Sequence, residues 1–220
     1  MAIEAVIWDF GGVFTTSPFE AFARYEAERG APKDLIRRVN TLNPDTNAWA
    51  RFERSEIDAG AFDGLFLEES TALGHAVPGR DILPLLSGAV RPRMVAALAA
   101  CKPLFKVGCI TNNMRTEHSP GADAGQREAG DIRIGDILAM FDVVIESAKA
   151  GVRKPDPKIY LMMCEALGVE PCACVYLDDL GINCKPAAAL GMKAIKVGDP
   201  DVALRELGEA VGLDFAAVAA

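Results

Sequence analysis

The sequence predicts an open, parallel α/β sheet with helices on both faces, and three observations lead there. Five short apolar runs do not alternate with polar residues, as expected for strands buried on both sides. They are AVIWDF (5–10), FKVGCIT (105–111), VVIES (143–147), CVYLDD (174–179) and KAIKVG (193–198). The segments between the later runs carry helix start and stop residues. Residues 16–88 hold helix-like segments and no convincing strand, so they read as an insertion after the first strand. Strand–helix alternation on this spacing is the grammar of a Rossmann-like sheet.

Taken in order, AVIWDF opens the sheet and ends at Asp9, with Gly11 and Gly12 close behind. FEAFARYEAERG, KDLIRRVN and EIDAGAFDGLFLEES read as helices of the insertion, whose core is expected from Trp49, Phe52, Phe62, Phe66 and Leu67. RPRMVAALAACK (91–102) has proline near its start and a cationic end, which suits a helix leading into the second strand. That strand ends at Thr111-Asn112-Asn113, before a polar, glycine-rich stretch (114–136) expected to be a long loop with some helix. After the third strand comes KAGVRKPDP, with Lys149, Arg153 and Lys154. DPKIYLMMCEALG (156–168) begins on the N-cap candidate Asp156 with proline at N1 and ends on Gly168. The fourth strand ends at Asp178-Asp179; KPAAALG (185–191) and DVALRELGEAVG (201–212) read as the remaining helices. The expected division is a Rossmann-like core of residues 1–15 and 89–220 and a mainly helical cap of residues 16–88.

A chain of 220 residues with half its residues apolar and a quarter charged can bury a core without disulfide or metal staples. The net charge of −8 argues against broad binding to nucleic acid or anionic membrane, but not against a small anionic substrate. Six cysteines without paired CxxC elements, and two histidines (His75 and His118), point to reduced thiols rather than a zinc site. No run of about 18 apolar residues occurs, and MAIEAVIW lacks the pattern of a signal peptide, so a cytoplasmic location is expected. The sequence leaves the oligomeric state open.

In such a sheet, ligands bind beyond the carboxyl ends of the strands, so the residues that terminate strands matter most. Asp9, Thr111-Asn112-Asn113, Asp178-Asp179 and the loop with Lys154 converge on that edge. Asp9 and one carboxylate of the 178–179 pair can share a hard cation, for which magnesium is the candidate. A cation there would neutralise a phosphoryl group and let the Asp9 carboxylate approach it as nucleophile. The Thr111 hydroxyl and nearby backbone N–H groups can bind phosphoryl oxygens, and Lys154 can balance transition-state charge. Gly11 and Gly12 would let the backbone bend tightly around the ligand.

WDFGGV, ITNN, GVRKPDPKIY and YLDDLGINCKPAAALGM appear in this order, each at a strand end. With them the chain resembles the haloacid dehalogenase-like hydrolase superfamily along essentially its whole length. Within it, the chain is similar to the N-terminal phosphatase-type domain of soluble epoxide hydrolases and to a related domain in some acyl-CoA dehydrogenase fusions. The resemblance implies a magnesium-dependent phosphatase of a small phosphorylated metabolite. It implies that Asp9 becomes an aspartyl-phosphate, that Thr111 and Asn112 bind the transferred group, and that Lys154 stabilises it. It implies Asp179 as the main acidic magnesium ligand, supported by Asp178 and by Asn183 through water, with the Gly11 carbonyl as a further contact. Thr15, Thr16 and parts of 17–75 would shape substrate choice.

One position departs from the family pattern. Most phosphatases of this superfamily carry a second aspartate two residues after the nucleophile, as general acid and base; here it is Gly11. Asp178, a residue of the insertion or a water are the candidate stand-ins. Two other readings stay open: a catalytically weak binding or interaction module, and a 2-haloacid dehalogenase. The latter would place an aromatic residue at position 11 and would not need the acidic pair. The DFG letters do not indicate a protein kinase, because only eight residues precede them. No GxSxG, GxGxxG or GxxxxGK[ST] element is present.

Overall fold

The computed structural model describes residues 2–113 and 132–215. Five parallel strands form one sheet: β1 (Ala5–Trp8), β2 (Lys106–Thr111), β3 (Val143–Glu146), β4 (Cys174–Asp178) and β5 (Lys193–Lys196), in the order β3-β2-β1-β4-β5. Each falls within one of the five apolar runs. Alternate strand residues pack on opposite faces. Val6, Trp8, Val107, Cys109, Val175 and Leu177 face one side, against Met94, Leu98, Leu204 and Leu207. Ala5, Ile7, Ile110, Cys174 and Tyr176 face the other, against Ile159, Tyr160 and Met163. With both faces covered by helices, polar alternation would have buried unpaired groups, which is why the runs read as continuously apolar.

Between β1 and β2 lie α1 (Phe19–Glu28), α2 (Leu35–Thr41), α3 (Ala48–Glu53), α4 (Ala59–Ala72), α5 (Gly79–Ile82), a 3₁₀ turn (Leu83–Leu86) and α6 (Pro92–Cys101). Beyond β2 come α7 (Ile134–Leu138), α8 (Ser147–Ala150), α9 (Pro157–Leu167), α10 (Gly181–Ala189) and α11 (Pro200–Val211). Helices α1 to α5 share a hydrophobic cluster of their own, including Phe22, Leu35, Ile36, Phe52, Phe62, Phe66 and Ile82. Phe52 and Phe62 stack with ring centroids 4.8 Å apart, and Trp49 meets Phe22 edge-on. The chain leaves and re-enters the sheet layer through two paired segments. Thr15 bridges Val90 in antiparallel sense, Thr16 N donates to Ala89 O (2.8 Å), and Arg91 N donates to Phe14 O (2.8 Å).

The helix signals of the sequence act as expected at α9. The Asp156 carboxylate accepts from Lys158 N (2.9 Å), and Gly168 terminates the helix in the left-handed conformation (φ 62°). Besides the short α5, 3₁₀ turn and α8, which the sequence does not mark, two helices differ from the expectation. Helix α3 lies in a stretch read without a helix; its start is fixed by Asn47, whose side chain accepts from Ala50 N (2.8 Å). Helix α10 starts at Gly181 rather than near Pro186, because the Leu180 carbonyl already accepts from Asn183 N and Cys184 N. Most of the expected loop at 114–136, with His118, lies outside the described residues; its last residues enter α7. Four cysteines, Cys101, Cys109, Cys164 and Cys174, are buried.

Candidate active site

Strand register brings the first and fourth motifs together. Asp9 N donates to Leu177 O (2.7 Å), so Asp9 leaves β1 beside the carboxyl end of β4. Its side chain is buried and accepts from Phe10 N (2.6 Å) through Oδ1. The same oxygen lies 2.6 Å from Lys154 Nζ, and that ammonium is also 2.8 Å from Asp178 Oδ2. Lys154 is 1% exposed, so its charge is matched by carboxylates rather than water. Burial draws the Lys154 ammonium down, but Asp178 and Asp9 overcome this and hold it protonated. Burial pushes Asp9 well above the ordinary carboxylate range; Lys154 opposes that push, and Asp178 and Asp179 add to it.

Asp178 is wholly enclosed and accepts donors on both oxygens. Besides Lys154 it receives Tyr176 OH, Leu180 N (2.8 Å) and Asn183 Nδ2, which lies 3.1 Å from each oxygen. Asn183 is in turn fixed through its carbonyl, which accepts from Tyr160 OH (2.8 Å). Asp179 is only partly buried and rests on Gly12: a Cβ at Gly12 would stand 2.2 Å from Asp179 Oδ2, and φ is +72° there. Glycine at position 12 is therefore a condition for the Asp179 position. Burial, then Asp178, push the Asp179 carboxyl up to about 6. Gly11 is exposed, and a Cβ there would meet nothing within 4 Å.

The remaining sequence-predicted residues take different surroundings. Thr111 ends β2, pairs in register with Glu146 and is half-buried. Asn112 spends its amide on the backbone of Lys154, donating to its carbonyl (3.0 Å) and accepting from its N–H (2.9 Å). Asn113 joins the end of β3, donating to Glu146 (2.7 Å) and accepting from Ala148 N (3.2 Å). Lys149 pairs with Glu146 at the surface. Arg153 turns to the helical segment, donating to Pro44 O (2.9 Å) and pairing with Glu53. Of the adjacent cations in this loop, Lys154 is the one at Asp9. Thr15 Oγ1 accepts from Gly12 N (3.3 Å), and Thr16 Oγ1 from Ala89 N (3.1 Å), so both brace the linkers.

Several residues near the site were not singled out from the sequence. Glu53 is a buried carboxylate on α3 that reaches Asn112; burial raises its pKa and Arg153 opposes the rise. Arg91 Nη1 donates to Gly12 O (2.8 Å), and Tyr176 holds Asp178. Tyr176 sits two residues before Asp178 and so shares its side of the strand, a signal the sequence does carry. Glu53 has no comparable signal, because Arg153 and Asn112, its partners toward the site, lie far away in sequence.

One ligand oxygen each from Asp9, Asp178 and Asp179 lie within 4.8 Å of one another. Three carboxylates face a single buried ammonium, and two of them are pushed toward protonation by burial and mutual repulsion. An oxygen-only donor set in this state fits a small, hard divalent cation.

Comparison with known proteins shows the family. The haloacid dehalogenase-like hydrolase family matches residues 3–191. The chain is 31% identical over 219 residues to acyl-CoA dehydrogenase family member 10 of Mus musculus, covering 95% of this chain and 19% of that protein. It is 31% identical over 230 residues to bifunctional epoxide hydrolase 2 of Sus scrofa, covering 98% of this chain and 40% of that protein. It thus spans less than half the length of either relative. Phosphatase MT3486 of Mycobacterium tuberculosis (strain CDC 1551 / Oshkosh) is 28% identical over 214 residues, covering 90% of this chain and 88% of that one. Among solved structures, a HAD family enzyme from Bacteroides thetaiotaomicron, in complex with magnesium and inorganic phosphate, shares the fold. Its TM-score is 0.61 at 19% identity, covering 90% of this chain and 96% of that one. With a family match along most of its length and relatives above 30% identity across nearly all of it, the chain belongs to the haloacid dehalogenase-like hydrolases.

Proposed function

We propose that the chain is a magnesium-dependent phosphatase of a small phosphorylated metabolite, with Asp9 as nucleophile. The observation that carries this reading is the buried Asp9 carboxylate held 2.6 Å from Lys154 Nζ, with Asp179 beside it at the strand ends. A relative named as a phosphatase supports it. Phe10 N and Lys154 both engage Oδ1, which leaves Oδ2 to attack phosphorus. The bond to the leaving oxygen breaks, that oxygen takes a proton from solvent, and Asp9 carries the phosphoryl group. Water then attacks phosphorus, releasing inorganic phosphate and restoring the carboxylate. Lys154, protonated throughout, orients Asp9 and offsets the negative charge of the transferring phosphoryl group, and Thr111 donates to a phosphoryl oxygen.

Asp9, Asp179 and the Gly11 carbonyl would hold Mg²⁺, which when bound supplies neutralisation of the phosphoryl charge. Asp178, with its acceptors occupied, anchors Lys154. Asn112 and Asn113 shape the phosphoryl pocket by fixing the loops around it, and Gly11 and Gly12 leave room for the ligand. Residues 16–88 serve as a cap over a core of 1–15 and 89–220. A cytoplasmic location fits this role; no described helix is long and apolar enough to cross a membrane.

The test is phosphate release from an activated aryl phosphate, with and without magnesium. Asp9→Asn is expected to reduce magnesium-dependent release by roughly 10⁴-fold or more. Gly11 favours a second reading, a binding module without turnover, because it supplies neither acid nor base. Release by the wild type no greater than by Asp9→Asn would establish that reading instead.

A further inference from the structure

The cap side of the site contributes one buried charge, and its connections run toward the reacting groups. The Glu53 side chain is 8% exposed although it is carried by α3, outside the sheet layer. Its Oε2 lies 2.5 Å from Arg153 Nε and accepts from Asn112 Nδ2 (3.3 Å), while Oε1 accepts from Trp49 Nε1 (3.0 Å). Its backbone carbonyl accepts from Ser147 Oγ (2.7 Å) at the end of β3. Asn112, touched by Glu53, clamps both backbone groups of Lys154, whose ammonium in turn meets Asp9 and Asp178.

We infer that Glu53 is a positioning residue that acts through Asn112, so that Lys154 is held at Asp9 only when α3 is seated on the core. This rests on reading Asp9 as the nucleophile. Stability alone does not call for a charged contact here. A buried ion pair is commonly no more stabilising than well-packed apolar residues of the same size. What the pair adds is direction. Arg153 and Asn112 leave the Glu53 carboxylate a narrow range of seats, so α3 docks in one register.

The test uses Glu53→Ala/Arg153→Ala, which removes both charges and leaves no lone buried ion, together with Asn112→Ala and the three changes combined. The first readout is amide exchange at Lys154, whose N–H is held by Asn112. It is expected to quicken about tenfold or more in Glu53→Ala/Arg153→Ala, while amides of β1 and β4 keep their protection. On an aryl phosphate, kcat should fall about ten- to a hundredfold with KM changed by less than about threefold. In the Asn112→Ala background, removing Glu53 and Arg153 together should change neither exchange at Lys154 nor kcat further, since Glu53 and Asn112 act in series. Unchanged exchange at Lys154, or losses that add in full, would overturn the inference. Absence of turnover in the wild type would count against the phosphatase reading alone, and exchange at Lys154 would then decide the role of Glu53.

Discussion

Around Asp9, side chains meet because parallel strands in fixed register carry them to one edge. In the helical segment between Phe19 and Leu86, they meet because aromatic rings pack: Trp49, Phe52, Phe62 and Phe66 form one cluster, and polar contacts from Glu53 reach Asn112 and Ser147 beyond the strand ends. The first arrangement is set by backbone hydrogen bonds and tolerates little displacement. The second is set by shape, and many apolar combinations could satisfy it. The strand-end carboxylates and Lys154 belong to the first arrangement, and the aromatic cluster of α1 to α5 to the second.

Substitutions on the two sides sharpen this contrast. After Asp9→Asn, Lys154→Met should have the largest effect. It leaves the buried Asp9 and Asp178 without their cation, so about 3–5 kcal/mol of stability should be lost. Turnover should fall about 10²–10³-fold, read by urea unfolding and aryl phosphate kinetics. Wild-type turnover in that variant would remove Lys154 from the chemistry. Phe62→Ala, fully buried in the helical cluster, should cost about 3–5 kcal/mol. Hydrogen exchange should locate that loss in α1 to α5; equal loss in the sheet would erase the distinction between the two regions.

Smaller effects probe the gap at position 11. The free space at Gly11 lets Gly11→Asp fit, and general acid–base help is worth about 10²–10⁴-fold where fully realised. A gain of about tenfold or more on an alkyl phosphate, with little change on an activated aryl phosphate, is expected; no gain on either would mean that another group already supplies the proton. The mildest effect concerns pH. Asp179 is pushed up to about 6, so above that value it is free for a cation, and below it a proton must first be displaced. The apparent magnesium dissociation constant should therefore rise about tenfold from pH 7 to pH 5, measured by calorimetric titration. An unchanged constant would separate Asp179 from the metal.

How much could be read in advance follows the same division. Asp9, Thr111 and Asp178 are legible because each ends a run whose burial pattern marks a strand, and strand ends in a parallel sheet share one edge. Lys154 is legible over its neighbour Arg153 from the lysine–proline pair in GVRKPDPKIY; that its ammonium meets Asp9 depends on a backbone turn held by Asn112. Helix α3 is not legible because its six residues are too few for a periodic signal, and Glu53 at its end shares that silence.

The amino-acid sequence by itself determined the order of strands and helices, the break after β1 and the acidic, glycine-flanked strand ends. These follow from local burial, capping and backbone freedom, which act over a few neighbouring residues. Only the tertiary structure decided that Asp178 is enclosed while Asp179 rests open on Gly12, that Arg153 belongs to Glu53, and that a helix outside the sheet reaches Asn112. Those are contacts between residues far apart in the chain, chosen by which pairs can be buried with their charges and hydrogen bonds satisfied.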